Sequence, residues 1–337
     1  MSKRNITLTG ILCLALGIIL GAGGYALVSD TITYERTDIA QPAEKAPEEG
    51  SQAIHINDND LAISPLYRKT QKLADALKQS GTETRLGGKE DFTSGDFNLY
   101  IARDTKSLPE VLDKNAINIL WLPMFSGAED PALLRAFDVI VVKSMAAFHH
   151  LKAINVRTAY IPEAIDIKKS RFRRNPENRA MFYGDNTGFV LPLYLAGRQN
   201  MSLDIYGKGF AGAWPAEEIK GDYPDPAGFS RYAAVLIDQS EEEIRDELIN
   251  PKIIEVIENG GLPYIRFNNG VYKIFGEALP MYHSEQEFID GMRDLLQNPA
   301  KGQHIRAELQ KKAAQWNSLS QAEKFKEIFR LMENKRR

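Results

Sequence analysis

The chain has little of the residues that build disulfides and metal sites. Its 337 residues include one cysteine, Cys13, and five histidines. A single cysteine excludes an internal disulfide and a cluster of thiolate metal ligands. His149 and His150 are adjacent, and adjacent helical residues point in different directions, so the pair does not chelate one metal as an i, i+4 pair would. We therefore expect neither a metal nor a cofactor.

An excess of one charge sign is also missing. The 42 Lys and Arg residues nearly balance the 45 Asp and Glu residues, which leaves a net charge of -3. This balance predicts no general attraction to nucleic acid. A local basic cluster, from Lys168 to Arg174, is interpreted as a solvated linker, with a binding patch as the alternative. No Walker loop or nucleophile elbow is present either.

One long apolar run lies near the amino terminus. Residues 6–28 carry no charge and are long enough to cross a bilayer as a helix, so we predict a membrane anchor over residues 1–28. Lys3 and Arg4 precede the run and acidic residues dominate after it. The positive-inside rule then places the amino terminus in the cytoplasm and the globular part outside, in a periplasm or lumen. A cleaved signal peptide is the alternative, and a cytoplasmic domain stays open.

Two features accompany the predicted anchor. Gly17 and Gly21 form a GxxxG pair, which favours a possible homodimer although glycine is common in membrane helices. Residues 29–52 are rich in Pro, Ala and Glu and have almost no periodic apolar residues, so we predict a flexible tether.

Beyond the tether, short apolar runs alternate with helical patterns. This alternation predicts two α/β, Rossmann-like, doubly wound domains with parallel sheets. The boundaries are 53–166 for the first domain, 167–178 for a linker, 179–318 for the second domain and 319–337 for a C-terminal helix. Ser284-x-x-Glu287 and Ser320-x-x-Glu323 are capping boxes that predict helix starts. Ligands of such sheets bind beyond the carboxyl ends of the strands, so we expect a site in the cleft between the domains.

The segment from Glu247 to Pro263 predicts a short helix that points at a ligand. Asn250 suits the N-cap, and the Gly260-Gly261 pair ends the helix. Lys252 and Glu255 project from its first turns. A strand follows at once, so the helix packs on a sheet and its amino end carries the partial positive charge that binds anions. The pattern is typical of a phosphate site.

These residues suggest a family. The second domain resembles the donor-binding half of GT-B glycosyltransferases, particularly the retaining group with a Glu-x7-Glu motif and its CgeB-like branch. Lys252-x-x-Glu255, followed by Gly260-Gly261-Leu-Pro, is similar to the signature of that branch, and Glu247 stands eight positions before Glu255. The resemblance implies that Glu255, Lys252 and Gly260 bind the donor and that Glu247 is catalytic. Because four of the seven residues from Glu241 to Glu247 are Glu, a solvated acidic helix face is the alternative for Glu247.

Two further segments are similar to the same family. Phe182-Tyr-Gly184 looks like the glycine turn after the first donor-domain strand, which implies that Gly184 and Asn186 bind the donor. Residues 161–166 look like the segment that ends the first domain, and the likeness extends from about Tyr160 to Leu296. Asp185 stands where the family often has a basic residue, and Lys252, Lys208 and Lys273 can compensate.

The resemblance implies a membrane-anchored glycosyltransferase that moves a sugar from a nucleotide-sugar donor to a glycan, lipid or protein acceptor. The alternative is a catalytically degenerate GT-B-like module that binds a glycan or protein at the cell envelope. An outward orientation favours the second hypothesis, because bacterial nucleotide-sugars are kept in the cytoplasm. A tethered solute-binding protein shares the cleft but does not explain Lys252 and Glu255.

Overall fold

A computed structural model of the chain describes residues 53–58, 65–87, 95–102, 108, 112–123, 125, 129–168 and 176–336. The predicted anchor and the tether lie outside these residues, so both stay predictions. Within the described part of the chain, no helix combines the length and the apolar character that a membrane span needs.

The first domain is built on a six-stranded parallel sheet with the order β2-β1-β3-β4-β5-β6. Its elements are β1 (Ile54–Asp58), α1 (Pro65–Gln79), β2 (Thr84–Gly87), β3 (Phe97–Ile101), β4 (Ile117–Leu122), α2 (Pro131–Leu134), β5 (Val139–Val142), α3 (Met145–Ala153) and β6 (Thr158–Tyr160).

The second domain repeats this architecture with the strand order β12-β11-β10-β7-β8-β9. Its elements are β7 (Glu177–Tyr183), α4 (Leu191–Arg198), β8 (Leu203–Tyr206), β9 (Ile219–Gly221), a 3-10 helix (Pro226–Arg231), β10 (Tyr232–Leu236), α5 (Glu241–Arg245), α6 (Pro251–Glu258), β11 (Pro263–Arg266), α7 (Asn269–Phe275), a 3-10 helix (Gly276–Ala278), β12 (Met281–Tyr282), α8 (Glu285–Gln297), α9 (Pro299–Ala313) and a 3-10 helix (Ala314–Trp316). The predicted pair of parallel α/β domains is confirmed.

Both faces of the first sheet are covered, which explains why its central strands are apolar at every position. All six residues of β4 are buried. Ile119 packs in one core with α1, whereas Leu120 packs in a second core with Phe148 of α3 on the other face. Successive side chains of a strand point to opposite faces, so a strand between two helical layers needs apolar residues throughout.

The last helix, α10 (Ser318–Arg336), leaves the second domain and packs on the first. Phe325 lies 5.4 Å from Trp121 and Phe329 lies 5.1 Å from Phe97, measured between ring centroids. The carboxylate of Asp166 accepts hydrogen bonds from the backbone nitrogen of Ser318 at 3.0 Å and from its hydroxyl at 2.6 Å. The helix therefore connects the two domains, and it starts beside Asp166, at the end of the first domain.

Some expected elements differ from the structure. The helix predicted to start at Ser320 begins two residues earlier, and the Asn317 side chain accepts from the Ser320 nitrogen at 2.8 Å, so this capping box is wrong. A helical pattern also spans Leu108 to Asp113, but Leu108, Leu112 and Asp113 are not helical, and residues 109–111 lie outside the described ranges. Three strands coincide with none of the apolar runs of the sequence: β2, β6 and β9. Each is a short edge strand, and its backbone pairing is not encoded by an apolar run.

Candidate functional site

The helix α6 starts as its sequence predicts. Asn250 is the N-cap, and its side-chain oxygen accepts from the Lys252 backbone nitrogen at 2.9 Å. Pro251 has no N–H, and the Ile253 nitrogen bonds the Asn250 carbonyl at 2.9 Å. The backbone donors of residues 251–253 are therefore absent or used within the helix. An anion at this end would meet the helix dipole and the Lys252 ammonium rather than free amides.

Lys252 and Glu255 converge on one aromatic ring. The Tyr183 hydroxyl, at the end of β7, donates to the Glu255 carboxylate at 3.0 Å, and the Lys252 ammonium lies 5.1 Å from the centre of the Tyr183 ring. Burial, and next the charge of Glu255, raise the pKa of Tyr183 above its ordinary value. Lys252 and Glu255 are both partly exposed. A partly exposed cation and a partly exposed anion thus lie beside one tyrosine at the carboxyl end of β7.

The predicted glycine turn lies beside this group. Gly184 follows Tyr183 directly, and the Asn186 side chain donates to the Gly209 carbonyl at 2.8 Å. A β-carbon on Gly207 would lie 1.6 Å from the Gly184 carbonyl oxygen. Only glycine therefore fits at position 207, because the two turns touch backbone to backbone.

Asp185, which departs from the family pattern, has a structural partner. Its carboxylate accepts from the Lys208 backbone nitrogen at 2.9 Å, and Asn186 donates its own backbone N–H to the Lys208 carbonyl at 2.8 Å. These bonds fasten the turn after β7 to the turn after β8. Asp185 therefore orders the loop in which Gly184 and Asn186 stand.

Glu247 lies in the turn between α5 and α6, with a positive φ of 54°. Asn269 donates to one carboxylate oxygen at 2.6 Å and Lys273 to the other at 3.0 Å, and the side chain is 19% exposed. A β-carbon on Gly270 would lie 2.1 Å from the Glu247 carbonyl oxygen. The alternative reading of Glu247 as part of a solvated acidic helix face is wrong, because the residue lies outside α5 and is held by α7.

Gly260 lies at the other end of α6 and does not join the other predicted residues. It has a φ of 80°, and its nitrogen bonds the Ile257 carbonyl at 3.1 Å. The Gly261 nitrogen bonds the Val256 carbonyl at 2.8 Å, which completes a Schellman motif. The structure thus gives Gly260 a helix-ending role, whereas Lys252, Glu255, Gly184 and Glu247 all lie at the carboxyl edge of the second sheet.

The first domain forms the opposite wall of the cleft. Ser144, after β5, donates a short hydrogen bond to the Asp246 carbonyl. Burial, and next the charge of Glu247, raise the pKa of Tyr160 at the end of β6 above its ordinary value. The Ser144 hydrogen bond places this edge of the first sheet against the turn that carries Glu247.

A buried ion cluster stands behind that wall. The Lys143 ammonium lies 3.4 Å from a Glu163 carboxylate oxygen, and Lys69 pairs with the other oxygen. Burial alone would raise the pKa of Glu163, but the two lysines outweigh it and hold that pKa below its ordinary value. Burial also lowers the pKa of Lys143 below its ordinary value, and the charge of Glu163 offsets only part of that effect.

Asp238 is a further acid at the same edge of the second sheet. It lies two residues beyond β10, and burial raises its pKa to about 6. Arg266 lowers that pKa, but less than burial raises it. Among the described residues, no group of three or more His, Cys, Asp or Glu side chains is arranged to hold a metal ion.

Sequence reasoning missed Tyr183, Asn269 and Asp238. All three lie at or just beyond the carboxyl end of a strand, at β7, β11 and β10 respectively. That position is the available signal, because residues at this edge of a parallel sheet line the ligand crevice. Tyr183 is distant in sequence from its partner Glu255, and Asn269 is distant from its partner Glu247, so no local motif connects the members of either pair.

Comparison with known proteins separates sequence from fold. No protein-family model matches the chain, and no curated protein matches it by sequence. The structure is similar to α-glucosyltransferase (AGT) in complex with UDP, with a TM-score of 0.57 and 12% identity over 84% of this chain and 100% of that one. A T4 phage BGT mutant in complex with UDP-glucose gives a TM-score of 0.50 and 12% identity, over 82% of this chain and 99% of that one.

A Thermobaculum terrenum O-GlcNAc transferase mutant gives a TM-score of 0.53 at 11% identity over 86% of this chain and 70% of that one. The chain spans only 57% of the matched chain in the GtfA/B complex. The likenesses to AGT, BGT and the O-GlcNAc transferase show the fold alone: two parallel-sheet α/β domains, consistent with the GT-B fold.

Proposed function

We propose that this chain is a glycosyltransferase that binds a nucleotide-sugar in the cleft between its domains and transfers the sugar to a glycan, lipid or protein acceptor. The observation that carries the proposal is the group formed by Lys252, Glu255 and Tyr183 at the start of α6. It sits where the GT-B architecture has its crevice. The similar structures of AGT with UDP and of BGT with UDP-glucose support a nucleotide-sugar as the donor.

In the proposed complex, the diphosphate lies at the start of α6 and the nucleoside ribose lies against Glu255. Breaking the bond between the sugar and the diphosphate oxygen leaves negative charge on the diphosphate. The Lys252 ammonium and the positive end of the helix dipole stabilise that charge. The Tyr183 hydroxyl holds the Glu255 carboxylate in place at 3.0 Å, so the acceptor for ribose hydroxyls is fixed before the donor arrives.

Glu247 is proposed to contact the transferred sugar. Its hydrogen bonds from Asn269 and Lys273 fix the carboxylate in the turn that Ser144 contacts from the other domain. The acceptor then enters from the side of Ser144 and Tyr160. Retention of configuration, by way of the Glu-x7-Glu pattern, belongs to the same proposal and rests on the family resemblance.

The turnover of nucleotide-sugars tests the proposal. The full-length protein is incubated with a panel of uridine and guanosine diphosphate sugars, and the released nucleoside diphosphate is measured with water or an added acceptor. We expect release from at least one donor and a loss of roughly 100-fold or more in Glu247→Gln, the size that mutation of one transition-state contact produces. Absence of release from every donor and acceptor would contradict transfer activity.

A catalytically degenerate GT-B-like module that binds a glycan or protein at the cell envelope is the second candidate. The observation that favours it is the loop after β7, which carries Asp185 where the similar family often has a basic residue. Binding of a glycan or protein without turnover of any nucleotide-sugar is the result expected of that module.

Membrane anchoring through residues 6–28 is part of the proposal, with the globular part outside. Reporter fusions at residue 40 and at the carboxyl terminus locate the domain. An outside location would require a lumenal or lipid-linked donor, whereas a cytoplasmic location gives direct access to nucleotide-sugars and would overturn the predicted orientation.

A further inference from the structure

A cavity lies in the first domain, at the edge opposite the carboxyl ends of the strands. It measures about 380 Å³ and opens beside the amino ends of β4, β5 and β6. Asn118 starts the wall at β4, Asp138 precedes β5 and Arg157 precedes β6. Arg336, from the last turn of α10, closes the remaining side. The cavity is thus formed jointly by the sheet edge and the helix that crosses to it.

The lining of this cavity is strongly basic. Four of its side chains are cationic and one is a carboxylate: Lys114, Arg135, Arg157 and Arg336 against Asp138. The single carboxylate is already used, because Arg336 donates to both of its oxygens, at 3.0 and 2.9 Å. The cavity wall therefore keeps an excess of positive charge.

Two of these cations keep their charge uncancelled. Arg135 donates to the Ile154 carbonyl at 2.7 Å, and a carbonyl orients a guanidinium without cancelling its charge. Arg135 and Lys114 form no ion pair with any residue in the part of the chain that the structure describes. Arg157 donates to the Asp138 carbonyl at 3.2 Å and to the Met332 sulfur at 3.7 Å. One fixed guanidinium fork and one ammonium thus supply the excess positive charge at the cavity.

We propose that this cavity binds a small phosphorylated metabolite of sugar-phosphate size. Guanidinium forks match the geometry of phosphate oxygens, and a phosphate supplies the missing negative charge. The volume equals roughly a dozen waters at about 30 Å³ each, which is more than a bare phosphate ion fills. It also falls in the range of about 300–1,000 Å³ that is usual for small-molecule sites.

The position of Arg336 gives the site a structural consequence. A ligand that bridges Arg336 to Arg135 and Arg157 fastens the end of α10 to the edge of the first sheet. Because the cavity lies at the edge away from the cleft, this binding is independent of the nucleotide-sugar proposal.

Calorimetric titration of the full-length protein with glucose 6-phosphate tests the site, with glucose and inorganic phosphate as further probes at matched ionic strength. We expect glucose 6-phosphate to bind, inorganic phosphate to bind more weakly and glucose not to bind. Bound glucose 6-phosphate should also slow amide hydrogen exchange in residues 112–118 and 332–336. Absence of binding, or equal affinity for inorganic phosphate, would overturn the proposal.

Variants locate the binding. The double variant Lys114→Gln, Arg135→Gln changes two exposed residues and should lower the affinity for glucose 6-phosphate at least tenfold. Lys152→Gln, an exposed lysine of α3 outside the cavity, serves as the matched control and should bind normally. Lys252→Gln in the cleft should also bind normally. Binding that survives the double variant, or that Lys252→Gln abolishes, would place the ligand elsewhere and refute the assignment.

Discussion

At the scale of single residues, the site depends on side chains that hold other side chains. Tyr183 contributes one hydroxyl, and that hydroxyl fixes Glu255. Glu247 is likewise fixed by Asn269 and Lys273 from α7. Tyr183 ends β7, and Asn269 and Lys273 belong to the helix that follows β11. The preorganisation of the site therefore comes from the sheet edge rather than from α6 alone.

Tyr183→Phe is expected to weaken nucleotide binding without unfolding the protein. The ring still packs at the end of β7, but Glu255 loses its donor and gains freedom. A hydrogen bond to a charged group contributes about 1.5–3 kcal/mol, so we expect the dissociation constant to rise by roughly 10- to 100-fold. Calorimetry with the preferred nucleotide measures this dissociation constant. A variant that binds the nucleotide as tightly as the wild type would show that Tyr183 does not position Glu255.

Asp238 should make stability depend on pH. Its folded pKa is about 6, whereas an unfolded aspartate titrates near 3.9. Between these values the folded state binds more protons, so the free energy of unfolding falls as pH rises from about 4 to about 6. The shift corresponds to at most about 3 kcal/mol, and solvent screening of this partly exposed group reduces the effect to about 1 kcal/mol.

Asp238→Asn should remove that dependence. Urea unfolding at pH 4 and pH 7 should show the variant gaining stability relative to wild type as pH rises. An unchanged difference between the two proteins at both pH values would mean that burial does not raise this pKa.

At the scale of elements, the contact between the turns after β7 and β8 is a close backbone approach within the second domain. Gly207 has a φ of 151° and meets the Gly184 carbonyl. Gly207→Ala should therefore destabilise the protein by about 3 kcal/mol, through backbone strain and overpacking together. Gly228→Ala is the control, because its β-carbon meets nothing within 4 Å, and it should change the free energy of unfolding by less than about 1 kcal/mol. Equal effects in denaturant titrations would contradict the close approach.

The elements also show where sequence prediction succeeds. The apolar run of β4 and the capped start of α6 are local signals, and both appear where the sequence places them. The edge strand β9 has only three residues, and its pairing with β8 comes from the fold, so no periodic pattern in the sequence predicts this strand. Glu247 is similar: its sequence neighbours are acidic, yet a positive φ and contacts to α7 decide where its carboxylate lies.

At the scale of the whole molecule, α10 connects the domains. Phe325 and Phe329 are buried in the core of the first domain, although they follow the second domain in sequence. The sequence predicts the helix but not its destination, because an amphipathic pattern does not identify the surface that it covers.

Phe325→Ala should destabilise the first domain selectively, by about 3–5 kcal/mol, because it opens a cavity beside Trp121. Hydrogen exchange of β3 and β4 should accelerate, whereas exchange of β7 and β10 should change less. Leu319→Ala, at a residue that is 39% exposed, is the control and should have little effect. Uniform acceleration in both sheets would mean that the domains unfold as one unit.

The central claim is that the start of α6 and the end of β7 bind a nucleoside diphosphate. Calorimetric titration of the full-length protein with uridine diphosphate and with guanosine diphosphate tests it most directly, using Glu255→Ala and the exposed-residue control Glu308→Ala of α9. The account predicts that at least one nucleotide binds, that Glu255→Ala lowers the affinity for that nucleotide at least tenfold and that Glu308→Ala leaves the affinity unchanged. Binding of neither nucleotide, or equal binding by Glu255→Ala, would contradict the account.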